Sequence, residues 1–343
     1  MRRATMHDVA HHAGVSLKTV SRVINAERGV SPVLAGKVQA AVEQLGYRHN
    51  LAASNLRRNR QRTASFAVLV QDLSNPYSAT LLRSVDDVAR RHGVVMIAAS
   101  LDEEEDRERD LVADLINRRV DGLILMPATH DQSYLQAEVE AGFVVVVIDR
   151  PPSNLYADSV LVDNVAGARM ATRHLLEHGH RRIAIITDDQ RIATAQQRLQ
   201  GYQAALGQAG VTVDPHLVRS TRTVPGAVAV VHELLAMPDP PTAVFSARNA
   251  VTRGVVVGLR EAGVAGSCAM VGFDDLPMAD MLQPGVTVVE QQASQVGRQA
   301  AELLLNRLAG GLQAPPQEVV LPTYLIPRGS GELRPPAAAR ERD

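Results

Sequence analysis

The sequence predicts an all-α helix-turn-helix domain at the N-terminus, followed by an α/β body whose two lobes hold doubly wound parallel sheets. A chain of 343 residues exceeds one average core, so at least two domains are expected. Residues 1–62 contain eleven Lys/Arg and three Asp/Glu, and their net charge of +8 contrasts with −9 for the remainder. This asymmetry indicates that only the basic end meets a polyanion. From Phe66 onward, short apolar segments alternate with amphipathic ones, as in a parallel sheet covered by helices.

Three short helices can be placed in the basic end from their caps and apolar spacing. Thr5 opens the first helix, and an acidic residue three positions later completes a capping-box pattern. Gly14 supplies a turn, Ser16 caps a second helix over residues 17–25, and Ser31 followed by proline starts a third. This order is that of a helix-turn-helix unit, whose second helix fits a DNA major groove. A small three-helix bundle with solvated charges is the alternative.

A long, gapless resemblance to a known family lies in MHDVAHHAGVSLKTVSRVINAERGVSPVLAGKVQAAVEQLGYRHN. This segment closely resembles the N-terminal domain of the LacI family of transcription regulators, which includes the lactose and purine repressors. The second helix reads the major groove in that family, so the resemblance places Leu17, Lys18 and Arg22 at base edges. It implies further contacts with phosphates or bases at Ser16, Thr19, Ser21, Asn25, Thr5, Asn50 and Ala53. Leu17 departs from the polar or aromatic residue of some members, which leaves the operator sequence open.

Residues 50–63 are interpreted as a hinge helix and linker. Leu51, Ala52, Ala53 and Leu56 form one short apolar stripe before a very basic run. A segment this short is marginal as an isolated helix in water. The resemblance implies that two such helices, one from each subunit, lie side by side in the minor groove, where Leu56 wedges between central base pairs and bends the duplex. A flexible linker whose charges only aid solubility is the alternative.

The body shows short apolar strands between amphipathic helices. The predicted strands are Phe66–Val70, Val94–Ala98, Gly122–Met126, Val144–Ile148, Ile183–Ile186, Ala243–Ser246, Ala269–Phe273 and Thr287–Val289. Predicted helices include Tyr77–His92, Glu104–Arg119 and Asn164–His178. About 260 residues of this pattern are too many for one sheet, so two lobes are expected, with ligands bound in the cleft at the carboxyl ends of the strands.

The body also resembles the LacI family, in segments such as QDLSNPY, VDGLILMP, VVVIDR, VDNVAGARMATRHLLEHGHRRIAIIT and MVGFDDLPMADMLQPGVTVVEQ. That family body is similar to periplasmic sugar-binding proteins, whose chain crosses between the lobes. We therefore expect a helix-turn-helix domain at 1–49, the hinge and linker at 50–63, a first effector-binding lobe at 64–162 and 290–322, a second lobe at 163–289 and 323–330, and a disordered tail at 331–343.

Polar residues at the strand ends, where the family also has its ligand contacts, predict an effector site. They are Tyr77, Asp149, Arg150, Thr194, Arg198, Asn249, Asp274 and Gln291. Carboxylates accept and guanidinium groups donate hydrogen bonds, which suits sugar hydroxyls. The neighbouring Asp163, Asp275 and Arg328 are alternatively helix caps or cross-links. Ser78 and Ile192 stand where purine-binding members carry an aromatic residue and an arginine, so we expect a non-purine effector that is a sugar or sugar derivative.

Several other kinds of site are disfavoured by the sequence. The single cysteine, Cys268, excludes an internal disulfide and fits a reducing compartment. No stretch approaches about 18 uninterrupted apolar residues and the N-terminus has no apolar signal core, so we expect a cytoplasmic protein with no membrane partner. His174, His178 and His180 are close in sequence, but no carboxylate or thiolate completes a zinc set. No nucleotide-binding or nucleophile motif occurs, so neither a cofactor nor an enzyme is expected.

These features predict a ligand-responsive, sequence-specific transcriptional regulator, of the repressor type, that binds double-stranded operator DNA as a homodimer. Family tetramers add a C-terminal leucine-heptad helix, whereas the segment after Ser330 has one leucine and two prolines. A solute-binding receptor would use the same two-lobed body without needing the basic end, and is the alternative. The effector's identity, its role as inducer or corepressor, and the operator remain open.

Overall fold

The computed structural model describes residues 4–24, 29–47, 63–310 and 314–336, and the chain divides into two compact units, Met1–Thr63 and Ala64–Asp343. We call the first unit the head and the second the body. The described part of the head consists of helices α1 (Met6–Ala13), α2 (Leu17–Ile24) and α3 (Pro32–Leu45).

The ends of the head helices are set by the residues that the sequence indicates. The Thr5 hydroxyl accepts from the backbone N–H of Asp8, whose carboxylate accepts from the Thr5 backbone N–H, and this capping box starts α1. Gly14 ends α1 with φ 64°, a left-handed conformation that glycine adopts without a Cβ penalty. Ser31 caps α3. The small core formed by Val9, Ala10, Val20, Val38 and Ala41 holds the three helices together.

The body alternates strands and helices along the chain. Its strands are β1 (Ser65–Val70), β2 (Val95–Ser100), β3 (Gly122–Leu125), β4 (Val144–Ile148), β5 (Asp158–Val162), β6 (Ile183–Thr187), β7 (Val218–Ser220), β8 (Ala243–Ser246), β9 (Ala269–Phe273), β10 (Thr287–Glu290), β11 (Glu318–Leu321) and β12 (Tyr324–Ile326). Its helices are α4 (Pro76–Arg91), α5 (Glu105–Asn117), α6 (Gln136–Glu140), α7 (Asn164–Glu177), α8 (Ala193–Gln208), α9 (Val224–Leu235), α10 (Asn249–Glu261) and α11 (Ala293–Ala309).

The strands form two sheets of six strands each within the described residues. The first has the order β11-β5-β4-β3-β1-β2 and is parallel throughout, whereas the second has the order β12-β10-β9-β8-β6-β7 and is parallel except for β12, which pairs antiparallel with β10. We call each sheet with its covering helices a lobe. The chain passes between the lobes from β5 to α7, from β10 to α11 and from β11 to β12. The predicted fold class is confirmed.

Both faces of each sheet are buried, so the strands are apolar throughout rather than alternating. In β1, Phe66 and Val68 face a core that includes α4 and α11, whereas Ala67 and Leu69 face a core that includes α5. The second sheet is covered likewise by α7 and α8 on one side and α9 and α10 on the other. This arrangement brings the carboxyl ends of the parallel strands to the edge where a ligand cleft is expected.

The tail differs from the sequence prediction, because residues 331–336 lie against the second lobe. Leu333 packs against the core under α7 and α8, and its carbonyl oxygen lies 2.8 Å from Nε2 of His180. Glu332 accepts from the Thr287 hydroxyl at 2.9 Å. A disordered tail therefore does not begin at Gly331. The two prolines that argue against a helix do not prevent an extended segment from docking.

Candidate functional site

The site in the body is built on matching positions of the two lobes. Asp149 directly follows β4 of the first lobe, and Asp274 directly follows β9 of the second. Both residues are buried, and both adopt left-handed backbone conformations, with φ 67° and 70°. Such a conformation is costly for a residue with a side chain and is found most often where a ligand site requires it. The two strand ends therefore present carboxylates to the cleft at the cost of local strain.

Arg198 of α8 faces both carboxylates, and the charge of Arg248 also acts on both. The Nε of Arg198 donates to Oδ1 of Asn164 at 2.8 Å, and its Nη1 donates to the carbonyl of Ala247 at 2.8 Å. The guanidinium carbon lies 4.0 Å from the centre of the Phe273 ring. These three contacts come from the second lobe, so Arg198 is held in place before any ligand arrives.

Burial dominates the electrostatics of the two aspartates. It raises the pKa of Asp149, and the positive charges of Arg150 and Arg198 act in the opposite direction. It also raises the pKa of Asp274, opposed by Arg198 and by a hydrogen bond from Gln291, while the charge of Asp149 raises it further. Both carboxylates are therefore strong acceptors whose hydration has been removed and only partly replaced by protein donors.

Buried polar atoms without a protein partner converge on this site. Among the described residues they include Oη of Tyr77, Nε of Arg150 and Oε1 of Gln291. The pKa of Tyr77 is raised well above its ordinary value, first by burial and then by the charges of Asp149 and Asp274. Unsatisfied buried donors and acceptors are rare in folded proteins. Their concentration here indicates a place for a ligand that carries several hydroxyl groups.

The predicted effector residues lie together in the body. A cavity of about 60 Å³ is lined by Tyr77, Asp149, Arg150, Thr194 and Arg198. The other three predicted residues border this group. Asn249 donates to Oδ1 of Asn75 at 2.6 Å, a bond that crosses from the second lobe to the first, and Gln291 donates to Asp274.

Charged residues of the cleft that the predicted effector set omits are Glu103, Asp188 and Arg248. Asp188 directly follows β6, so the rule of searching strand ends would have found it. Glu103 lies beyond the end of β2, one residue before the predicted helix Glu104–Arg119. Its Oε1 lies 2.5 Å from Nη2 of Arg150. Asp163 caps α7, and Asp275 pairs with Arg328 at 2.6 Å within the second lobe rather than across the lobes.

The second helix of the head carries the predicted DNA contacts, of which Lys18 is exposed and Thr19, Ser21 and Arg22 are half-buried. Leu17 packs against the head core, Ser16 accepts from the backbone N–H of Thr19 at 3.1 Å, and Thr5 is the cap of α1. The remaining predicted contacts lie outside the described residues; they are Asn25, Asn50, Ala53 and Leu56. The DNA roles of all these residues stay predictions.

The structure adds two observations on the classes of site that the sequence disfavours. Within residues 4–24, 29–47, 63–310 and 314–336, no group of three or more His, Cys, Asp or Glu side chains could hold a metal ion. His180, one of the histidines considered for zinc, instead lies 2.9 Å from the hydroxyl of Thr242. No helix in the described part of the chain is both long enough and apolar enough to span a membrane.

Known proteins resemble both parts of the chain. The model of the bacterial regulatory proteins, lacI family, matches residues 5–50, and that of the periplasmic binding protein-like domain matches residues 172–331. The ribose operon repressor of Escherichia coli strain K12 is 32% identical over 95% of this chain and 99% of its own length.

Two solved structures share the fold as well. The transcriptional regulator CelR in complex with cellobiose is 34% identical, with 96% of this chain and 100% of that chain covered and a TM-score of 0.71. A regulator from Enterococcus faecium with bound ribose is 26% identical, with 79% and 99% covered and a TM-score of 0.70.

Proposed function

The chain belongs to the lacI family of bacterial regulatory proteins, and from that premise we propose that it is a homodimeric, ligand-responsive DNA-binding repressor whose effector is a small sugar or sugar derivative. The observation that carries the effector assignment is the buried group of Tyr77, Asp149, Arg198 and Asp274, which offers acceptors and donors on both lobes. Sugar hydroxyls donate to carboxylates and accept from guanidinium groups, so one polyol satisfies both.

A sugar fits this site better than a purine. Ser78 and Ile192 are both buried and line the cavity, and neither side chain is the stacking ring or the arginine expected of a purine pocket. One relative is a ribose operon repressor and two related structures are solved with cellobiose and with ribose, whereas other relatives, 29–30% identical, are named PurR repressors. The proposal that the effector is not a purine therefore depends on Ser78 and Ile192.

The head supports operator binding through charge and shape. Its net charge of +8 over residues 1–62 suits a phosphate backbone. Lys18 and Arg22 lie on α2, a helix whose size fits a major groove. The guanidinium group of Arg22 can donate to both acceptors of a guanine edge. A protein that binds operator DNA would act in the cytoplasm. Its proposed role is regulatory rather than catalytic.

Exposed apolar residues on both lobes support a homodimer. Val95 and Ile97 are exposed on β2, the edge strand of the first sheet, and Val257, Met278 and Met281 are exposed on the second lobe. Contiguous exposed apolar patches mark protein contact surfaces, and these residues are the candidates for such a patch between subunits. An isologous dimer would present two heads to an inverted-repeat operator.

The hinge couples the effector to DNA in this proposal. Residues 50–58 lie outside the described residues; a segment of this length is marginal as an isolated helix in water, so in this proposal its order would come from DNA and from the partner subunit. Movement of the lobes would change the spacing of the two hinges and hence their ability to pair. Hydrogen exchange tests this: amides over 50–58 should become protected when operator DNA is added, and equal protection with and without DNA would contradict it.

A two-part experiment tests the function. A thermal-shift screen of free sugars, sugar acids and nucleosides on the full chain should reveal a sugar that raises the melting temperature, because a ligand bound only by the folded state stabilises it. DNA affinity measured at several salt concentrations should fall steeply as salt rises. Tight binding of guanine or hypoxanthine would contradict the sugar assignment, and salt-independent DNA binding would contradict the role of the head.

A further inference from the structure

Two spaces adjoin in the cleft between the lobes of the body. The inner chamber, of about 60 Å³, contains the buried group around Asp149 and Arg198. The outer vestibule, of about 520 Å³, is lined by the loops after β3 and β4 and by the start of α8. Glu103, Arg150 and Ile192 line both spaces, so they stand at the boundary between them.

An ion-pair chain runs along this boundary and crosses from one lobe to the other. In the first lobe, Arg150 binds Glu103 through two nitrogens, at 2.5 and 2.8 Å. In the second lobe, Arg222 lies 3.3 Å from Asp188, which also accepts from Arg248 at 2.6 Å. Arg222 reaches Glu103 of the first lobe at 3.7 Å. The chain of five side chains therefore joins the lobes at the mouth of the inner chamber.

Glu103 is held at the boundary by its backbone. Asp102 and Glu103 are consecutive residues with left-handed conformations, φ 57° and 61°. The Glu103 backbone N–H donates to Oε1 of the buried Gln71 at 3.0 Å, and Gln71 in turn donates to the carbonyls of Met126 and Pro127. Two adjacent strained residues persist only where the surroundings enforce them. The first-lobe end of the chain is therefore rigid.

The second-lobe end is built differently. Arg222 follows β7 in a loop, and its side chain is 40% exposed. Its contact with Glu103 is longer than those that Arg150 makes with the same carboxylate. A long, exposed ion pair contributes little stability and separates easily. Arg222 is thus the part of the boundary that can open without loss of core packing.

We propose that this ion-pair chain is a size filter, which confines the effector to a single-ring, uncharged sugar or polyol in the inner chamber. The inference rests on the proposed function and specifies the ligand class of the same site. A chamber of about 60 Å³ holds about four to six water molecules, at about 10–15 Å³ each, which one monosaccharide ring would displace. A second ring would have to lie in the vestibule and pass between Glu103 and Arg222.

The charge of the inner chamber supports an uncharged ligand. Three guanidinium groups and three carboxylates line it; these are Arg150, Arg198, Arg248, Glu103, Asp149 and Asp188. Of these, Arg150 and Arg248 are already paired with Glu103 and Asp188. The third, Arg198, faces the buried carboxylates of Asp149 and Asp274, so a phosphate or carboxylate on the ligand would either displace an internal partner or lie beside a buried carboxylate, and both are costly. Hydroxyl groups meet the remaining hydrogen-bonding needs without that cost.

Calorimetry on the full chain with matched sugars tests the filter. The probes are ribose, glucose and galactose against the disaccharides cellobiose and lactose. Wild type is expected to bind at least one monosaccharide and to bind disaccharides about 100-fold more weakly. Arg222→Ala is expected to reduce that preference about tenfold or more, mainly by tightening disaccharide binding. Arg191→Ala is the matched control, because Arg191 is exposed in the vestibule and pairs with Asp189 of its own lobe at 2.6 Å.

The outcomes separate the filter from the function beneath it. A disaccharide that wild type binds within about threefold of the best monosaccharide would overturn the filter and leave the sugar effector standing. An unchanged preference in Arg222→Ala, with a melting curve like that of wild type, would overturn it equally. A response to neither class of sugar would contradict the proposed function itself, and the filter would fall with it.

Discussion

The two lobes share one architecture but differ in how each fixes the chain that returns to it. In the first lobe, Arg307 of α11 binds Asp158 of β5 with two nitrogens, at 2.7 and 2.8 Å, and both side chains are at most 10% exposed. In the second lobe, Arg328 binds Asp275 with similar geometry, but these side chains are more exposed, at 19% and 36%. Similar contacts thus have different energetic weight, because burial rather than distance determines what an ion pair contributes.

The largest effect is expected from breaking the buried pair. Arg307→Ala leaves the buried charge of Asp158 without this cation, with the backbone N–H of Gln317 still donating to it at 2.7 Å. The change also removes donors to the carbonyls of Ala314 and Pro315. We expect the free energy of unfolding to fall by about 3–5 kcal/mol. Arg328→Ala, the matched change in the second lobe, should cost about 0–1 kcal/mol. Equal losses in urea unfolding of the two variants would contradict the contrast between the lobes.

Neutralising a buried carboxylate of the effector site is expected to weaken effector binding and to stabilise the ligand-free protein. Asp274→Asn removes a charge from a buried position while keeping an oxygen for Gln291, and should weaken the binding of the effector sugar by about 1.5–3 kcal/mol. The ligand-free melting temperature should rise at neutral pH. The pKa of Asp274 is raised in the folded state, so ionisation costs stability as pH rises through that pKa, and the cost is absent below the ordinary value of 3.8.

The pH dependence distinguishes this account from a packing effect. The stabilisation of Asp274→Asn over wild type should shrink as the pH is lowered towards the ordinary aspartate value, because the wild-type carboxyl is then protonated. Asp149→Asn in the first lobe should behave in the same direction, since burial raises the pKa of Asp149 as well. A stabilisation that does not change with pH would contradict the electrostatic explanation.

Helix packing is expected to be equally tight in the two lobes. A Cβ at Gly201 of α8 would lie 2.3 Å from the carbonyl oxygen of Val165, and one at Gly297 of α11 would lie 2.4 Å from that of Leu81. Alanine at either position should cost about 1–3 kcal/mol in urea unfolding. Gly207→Ala is the control on α8, where nothing lies within 4 Å, and should stabilise by about 0.5–1 kcal/mol. A cost confined to one lobe would show that the helices pack unequally.

The smallest expected effect is a pH-dependent one in the second lobe. His180 is fully buried, and burial lowers its pKa below the ordinary value of 6.5. A lowered histidine pKa means that stability is present above pH 6.5 and is lost as the pH falls through the folded-state pKa. His180→Gln should flatten the melting temperature between pH 7 and pH 5 relative to wild type. If the melting temperature of the variant changes with pH as steeply as that of wild type, another group is responsible for the acid sensitivity.

Features that depend on neighbouring residues were predicted from the sequence, whereas features that depend on contacts between distant residues were not. Strands that are apolar throughout, such as Val144–Ile148, were predicted with their observed bounds. A strand that is buried on both faces is apolar at every position, so its ends are visible in the sequence. The strands β5, β7, β11 and β12 were not predicted. β5 opens with Asp158, which pairs with Arg307, 149 residues further along the chain. β7 and β12 have three residues each, too few for a pattern to emerge.

The residues of the candidate site also fall into those that the sequence predicted and those that it did not. Asp149, Arg198 and Asp274 were predicted because they stand at strand ends or in segments that resemble a known family. Glu103 was missed because its significance depends on Arg150 and Arg222, which only the folded chain brings to it. The docking of Leu333 was missed for a similar reason, since it requires the surface formed beside His180.

The central claim, that an effector held between the lobes controls DNA binding, is tested most directly by operator affinity. Fluorescence anisotropy of a labelled operator duplex should be measured with the full chain, with and without the sugar identified by thermal shift, for wild type and Asp274→Asn. The account predicts that the sugar changes wild-type affinity about 5–150-fold, and that Asp274→Asn binds DNA normally but has lost this response at the same sugar concentration. An operator affinity that the sugar leaves unchanged, or a full response in Asp274→Asn, would contradict it.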